Sequence, residues 1–253
     1  MTGTRARLGR YALYQLWDYV FERGLLTLLL AAMTLGPQLF ILRNIHGAAW
    51  GATENGAALA RGTLAELALP LAAVAVIFAV NGISSQDRQK GYFRLLFSKP
   101  VGVGAYYAQD FVVRFLGVSA LLAIVLVVFS LSSGAPFLAG FLGYTALVYV
   151  LLGGIGFLLS ALVPAIVPFD GLALALVWVS SSMLLQLRRA YPERIPEELA
   201  LVLPPVDKLD AARDAFIGGA GALPPGHLWW AIGYGLGCFV LGLLVLGRRE
   251  LAR

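Results

Sequence analysis

The longest charged stretch between two apolar runs in the first half of the chain is Ser84 to Asp110, which begins Ser-Ser-Gln-Asp-Arg-Gln-Lys-Gly-Tyr-Phe-Arg-Leu-Leu-Phe-Ser-Lys-Pro. Ser84 or Ser85 can cap a short helix here, Asp87 falls in its first turn where the helix dipole favours an acid, and Pro100 closes it after Lys99. On a 3.6-residue period Tyr92, Leu95, Leu96 and Lys99 share one face. Arg88, Lys90 and Arg94 reach toward headgroups or a partner surface, where their chemistry is ion pairing. Composition alone fits a solvated loop with snorkelling side chains equally well.

Other chemistries find no residues to carry them. The two histidines, His46 and His227, fall in expected outer loops and cannot supply the paired axial ligands of a buried haem. No His-Glu-x-x-His or comparable metal spacing occurs, and no Gly-x-x-x-x-Gly-Lys-Ser/Thr loop, so the chain does not bind and hydrolyse ATP in that way by itself. The single cysteine, Cys238, lies in an apolar run and forms neither an internal disulfide nor a cysteine metal site. The apolar runs hold almost no ionisable residue, which removes the usual sign of a proton or ion relay. The expectation is a chain that is not an enzyme, with no cofactor or metal of its own and no nucleic-acid partner.

The elements that must position the charged stretch are membrane spans. Of 253 residues 59% are hydrophobic and 13% charged, against about 25% charged in soluble domains. Mean hydropathy is +0.80. Long unbroken Leu, Ala and Val runs point to helices, since a barrel would alternate apolar and polar residues. Six spans are expected: Gly24 to Leu42, Thr63 to Ile83, Phe111 to Leu131, Phe137 to Leu162, Gly171 to Leu187 and Leu228 to Leu246. The fold expected is all-α and polytopic, residues 24–253 forming the six-span domain. Gly36 and Pro37 should kink the first span, with Thr34 and Gln38 beside the weakened turn. Residues 1–23 form a cytoplasmic or interfacial segment. Within it Leu8, Ala12, Leu16 and Val20 recur every fourth residue, as in a helix lying on the membrane, and there is no cleavable signal.

With the N-terminus inside, twelve of the nineteen Lys and Arg residues fall in inner segments and seven in outer ones, which favours both termini in the cytoplasm. The 84–110 segment is then a cytoplasmic loop and 188–227 an outer one. Prolines divide the outer loop and leave Asp207 to Ile217 as a short helix capped by Asp207, with Leu209, Ala212 and Phe216 facing the bundle or the membrane. Asp170 suits the N-cap of span five. Gly140, Gly143, Gly153 and Gly156 in span four, and Gly233 and Gly237 in span six, should allow close helix contact. Asn81, Ser180, Ser181 and Gln186 are the mildly polar span residues that could line a pathway.

The order Asp87-Arg88-Gln89-Lys90-Gly91, then Leu95-Leu96-Phe97-Ser98-Lys99-Pro100-Val101, then Tyr106 or Tyr107, resembles the first cytoplasmic loop of type-2 ABC transporter permeases. The layout of a surface helix, six spans, a Pro-rich outer loop and a final Arg248-Arg249-Glu250 is similar too. The small size, without a large external domain, is most similar to the permeases that accompany maturation of copper enzymes such as nitrous-oxide reductase. Three departures stand out: Gln89 where the family usually has a glutamate, Gly102-Val103 where it often has Ser-Arg, and Gln109-Asp110 where Gly-Lys is common. The resemblance implies a permease subunit of the bacterial inner membrane. It would work as a homodimer or heterodimer and dock cytoplasmic ABC ATPases, which carry the ATP and Mg, through Asp87, Arg88, Gln89, Lys90, Gly91, Arg94 and Lys99. Membrane lipids and an extracytoplasmic accessory protein complete the implied partners. The competing reading is a non-transporting membrane anchor or assembly subunit.

Overall fold

The structure, a computed structural model, describes residues 12–47, 50–84, 102–136, 138–162, 170–191, 203–218 and 225–251. The described residues are mainly helical, with no strand among them, and six helices are long and apolar enough to cross a membrane. The chain is an all-α polytopic membrane protein. Its helices are α1 (Ala12–His46), α2 (Glu54–Val80), α3 (Val103–Ser133), α4 (Gly140–Leu162), α5 (Asp170–Ala190), the short α6 (Val206–Arg213) and α7 (Pro225–Leu251).

The spans lie where the apolar runs place them, but several run on as helix into stretches expected to be loops. Residues 54–62 belong to α2, capped by the Thr53 hydroxyl, which accepts from Gly56 N at 3.1 Å. Residues 103–110 belong to α3. A helix satisfies its own backbone on either side of the hydrocarbon edge, so polarity alone does not end it. Residues 12–23 continue into the first span with no loop between them, through a π turn at Val20–Gly24. Of the expected stripe, Ala12, Leu16 and Val20 are partly buried and Leu8 lies outside the described residues; Leu16 and the buried Tyr19 lie against Gly117 of α3, while Trp17 and Phe21 are exposed. Pro37 is accommodated inside α1, and the nearby Thr34 hydroxyl donates back to Leu30 O at 3.0 Å.

The centre of the bundle is α2 with α4, and α3 and α7 pack around them. The approach of α4 to α7 depends on glycine. A Cβ on Gly154 would overlap the carbonyl of Gly235, and a Cβ on Gly235 would overlap that of Val150. The two backbones therefore touch directly. This corrects the expectation for α7: a Cβ on Gly233 or Gly237 would meet nothing within 4 Å, and the contact residues are Gly235 and Gly242. The four α4 glycines named from the sequence do carry contacts, Gly140 and Gly143 on Phe216, Gly153 on Phe111 and Gly156 on Val80 and Leu174. Below the Gly154–Gly235 crossing an aromatic cluster joins α3, α4 and α7, with Phe111 4.9 Å from Tyr149 and 4.6 Å from Phe239, and Phe157 4.7 Å from Phe239. The Tyr149 hydroxyl donates to Phe111 O at 2.7 Å.

At one end of the bundle, α6 and the π turn Asp214–Gly218 rest against α2, α4, α5 and α7, burying Leu209, Ala212 and Ile217. The short helix is where the sequence puts it, but its N-cap is Pro205, with Asp207 in the first turn, and Phe216 is partly exposed over Gly143. Lys208 lies 4.8 Å from the centre of the Trp230 ring and so ties α6 to α7. Burial lowers the pKa of the Arg213 guanidinium, but the hydrogen bond and charge of Asp214, with Asp210 behind it, outweigh this and raise it. Its ion pairs to Asp214 (2.9 Å) and Asp210 (3.4 Å) hold the end of the short helix together.

Candidate functional site

The other end of the bundle is organised around the last turn of α2. The final four carbonyls of a helix have no partner within it, and in or near hydrocarbon each bare one costs several kcal/mol. Here arginines from the two neighbouring helices supply the donors. Arg23 of α1 donates to Phe78 O (3.2 Å), Ala79 O (3.5 Å) and Asn81 O. Arg114 of α3 donates through Nη1 to Ala79 O at 2.6 Å and through Nε to Asp110 Oδ2 at 2.9 Å. Both guanidiniums converge on one carbonyl, so two positive charges sit at the negative end of the α2 dipole, with the buried Asp110 carboxylate compensating.

The residues that follow bring in the remaining helices. Asn81 ends α2 and Gly82, at φ +71°, reverses the chain, a conformation that suits glycine. The Asn81 Oδ1 accepts from Gly171 N of α5 at 3.0 Å, capping a different helix from the one it terminates. Asp170 is the first residue of α5, in the first turn instead of at the N-cap expected for it. Ser84, fully buried, donates from its backbone N to Ser160 Oγ of α4 at 3.2 Å, and the two hydroxyls share a hydrogen bond of 3.1 Å. Within residues 78–84 the exit of α2 is thus fastened to α1, α3, α4 and α5. No nucleophile and base come together here, and among the described residues no three His, Cys, Asp or Glu side chains could hold a metal ion. The arrangement is a mechanical joint, hydrogen-bonded to four helices, from which the chain runs directly into residue 85.

The charged residues expected to meet a partner, Asp87, Arg88, Gln89, Lys90, Gly91, Arg94 and Lys99, lie outside the described residues, as does the short helix expected to hold them. The four residues expected along a pathway do not form one polar track. Asn81 is at the joint, whereas Ser180 and Gln186 lie on α5 roughly 14 and 22 Å further along its axis, at 1.5 Å per residue from Gly171. Ser180 and Gln186 are exposed, while Ser181 is buried and its hydroxyl donates to Val177 O at 2.6 Å. The sequence reading missed Arg23, Asp110 and Arg114 as a unit. The Asp110-to-Arg114 spacing of four residues on one helix was the available signal. Nothing in the sequence pairs Arg23 with the end of α2.

No model of a known protein family matches the chain, and neither does any curated protein.

Proposed function

We propose that this chain is the membrane-spanning subunit of an ATP-driven ABC transporter, coupled through residues 85–101 to a separate cytoplasmic ATPase. The observation that carries the reading is the joint at residues 78–84. A segment that receives force from a cytosolic motor has to be fixed to the spans it moves, and the chain immediately before this segment is bonded to four other helices. Motion of Asp87 to Lys99 would reach α1, α3, α4 and α5 together. The charge pattern of the segment and its likeness to type-2 permease loops supply the partner, and the excess of Lys and Arg on that side supplies the orientation, with both termini in the cytoplasm.

The reading includes a second protomer. Ser180 and Gln186 sit on the exposed face of α5 among Leu176, Val179, Met183 and Leu187. An amide facing hydrocarbon with no partner costs several kcal/mol, so this face is better suited to another protein surface or a hydrated path than to lipid. The test is extraction in mild detergent followed by identification of what accompanies the chain. An ATPase with an ATP-binding cassette, lost on Arg94→Glu or Gly91→Glu with membrane insertion intact, is the expected result. A stable partner without such a cassette would instead make the chain an anchor or assembly subunit.

A further inference from the structure

The helix least covered by the rest of the bundle, α1, leaves a cleft of about 280 Å³ against α3. Its walls include Ala32, Leu35, Gly36 and Leu39 on one side and Ile124 and Val128 on the other. Gly36 contributes to the opening, because a Cβ there would meet nothing within 4 Å. A void of this size inside a membrane forfeits dispersion contacts along both walls unless something apolar fills it.

What would fill it is indicated by the residues at its end. On a 100° wheel the α1 stripe through Leu28, Ala32, Leu35 and Leu39 continues through Arg43 and His46, about 6 and 10 Å beyond Leu39. Arg43 is exposed, and its side chain has no ion pair or hydrogen bond among the described residues. The stripe of α3 that lines the cleft continues through Ser132, a hydroxyl donor at the same end. By contrast, no Lys or Arg occurs in the sequence between Arg114 and Arg188, so neither α3 nor α4 places a cation at this membrane surface. The cleft is a long apolar slot with a positive charge at its mouth.

We infer that the α1–α3 cleft holds one acyl chain of an anionic phospholipid, from the leaflet at the α1 C-terminal end, whose phosphate sits on Arg43. Long-range attraction brings anionic headgroups to basic residues near a membrane surface, and the slot then retains the chain. The proposal does not depend on whether the protein transports anything.

The experiment uses the full-length chain in phosphatidylcholine nanodiscs containing a minor fraction of phosphatidylglycerol with a diazirine on one acyl chain. After photolysis, adducts are mapped by peptide mass spectrometry. Adducts should concentrate on residues 28–39 and 124–129, several-fold above the exposed faces of α5 and α7. Unlabelled phosphatidylglycerol should displace them better than phosphatidylcholine, and inorganic phosphate should not. Arg43→Gln should remove the preference for the anionic lipid, and Gly36→Leu should remove the cleft adducts while leaving α5 and α7 labelling unchanged. The competition arm uses the unaltered sequence and so does not depend on the variants folding. Adducts spread evenly over all exposed faces, no preference for the anionic lipid, or a cleft protected by a second copy of the chain would each overturn the inference.

Discussion

Removing Arg114 should harm this protein far more than removing both members of its ion pair. Asp110 and Arg114 have side chains 4% and 15% exposed, and their bond is 2.9 Å long. Arg114→Met leaves the Asp110 carboxylate buried without its ion-pair partner, a change that costs about 3–5 kcal/mol, and it also removes the shorter of the two bonds to Ala79 O. At 1.4 kcal/mol per tenfold, the unfolding equilibrium shifts by about two to three and a half powers of ten. Asp110→Leu should cost less, about 1–3 kcal/mol, because Arg114 keeps its 2.6 Å bond to Ala79 O and retains some access to solvent. The double variant Asp110→Leu with Arg114→Met removes both charges, leaving Ala79 O with the 3.5 Å bond from Arg23, and should recover most of the loss. The assay is thermal unfolding of detergent-purified protein followed by loss of the monodisperse chromatographic peak. The Arg114→Met midpoint should fall by about 10 °C or more, with the double variant above it. Additive effects of the two substitutions would refute the claim that these charges act as a pair at the end of α2.

Three further outcomes follow from contacts already described. Gly235→Val or Gly154→Leu should prevent accumulation of folded protein, whereas Gly233→Ala and Gly237→Ala should be tolerated within about 0.5 kcal/mol, measured by yield and thermal midpoint. Asn81→Ala should cost about 1 kcal/mol and speed amide exchange at Gly171 specifically, since it removes the cap across to α5. In a Cys238→Ser background, Ser84→Cys with Ser160→Cys should form a disulfide under mild oxidation. On the proposed function, this should block the partner ATPase's response to the permease until reductant is added.

The spans were legible because apolar runs of about 20 residues have few alternatives, and the short helix at 206–213 was legible from the prolines around it. Their ends were not: Glu54 to Gly62 and Val103 to Asp110 carry charges and glycines that read as connections, yet helices continue through them. The glycine contacts show a second limit. Gly233, Gly235 and Gly237 are all plausible contact residues, but Gly235 lies about 200° around the helix from Gly233, and only the neighbour's position decides which face is covered. At the candidate site, the sequence marks residues 85–101 through their charges. The joint that precedes them depends on Arg23 and Arg114 arriving from two separate helices at one carbonyl, an encounter between side chains 91 residues apart that no local pattern encodes.

The main-chain contact between Gly154 and Gly235 has a consequence for how the molecule can deform. With the two backbones in direct contact and Phe157 packed on Gly242, α4 and α7 share the closest helix pairing among the described residues and act as a single strut. Compliance is left to α1, flanked by voids against both α2 and α3. When the joint moves, α4 and α7 should therefore travel as one body, and the helix with most freedom to change its angle to the others is that outlying stave, held where Arg23 grips the end of α2.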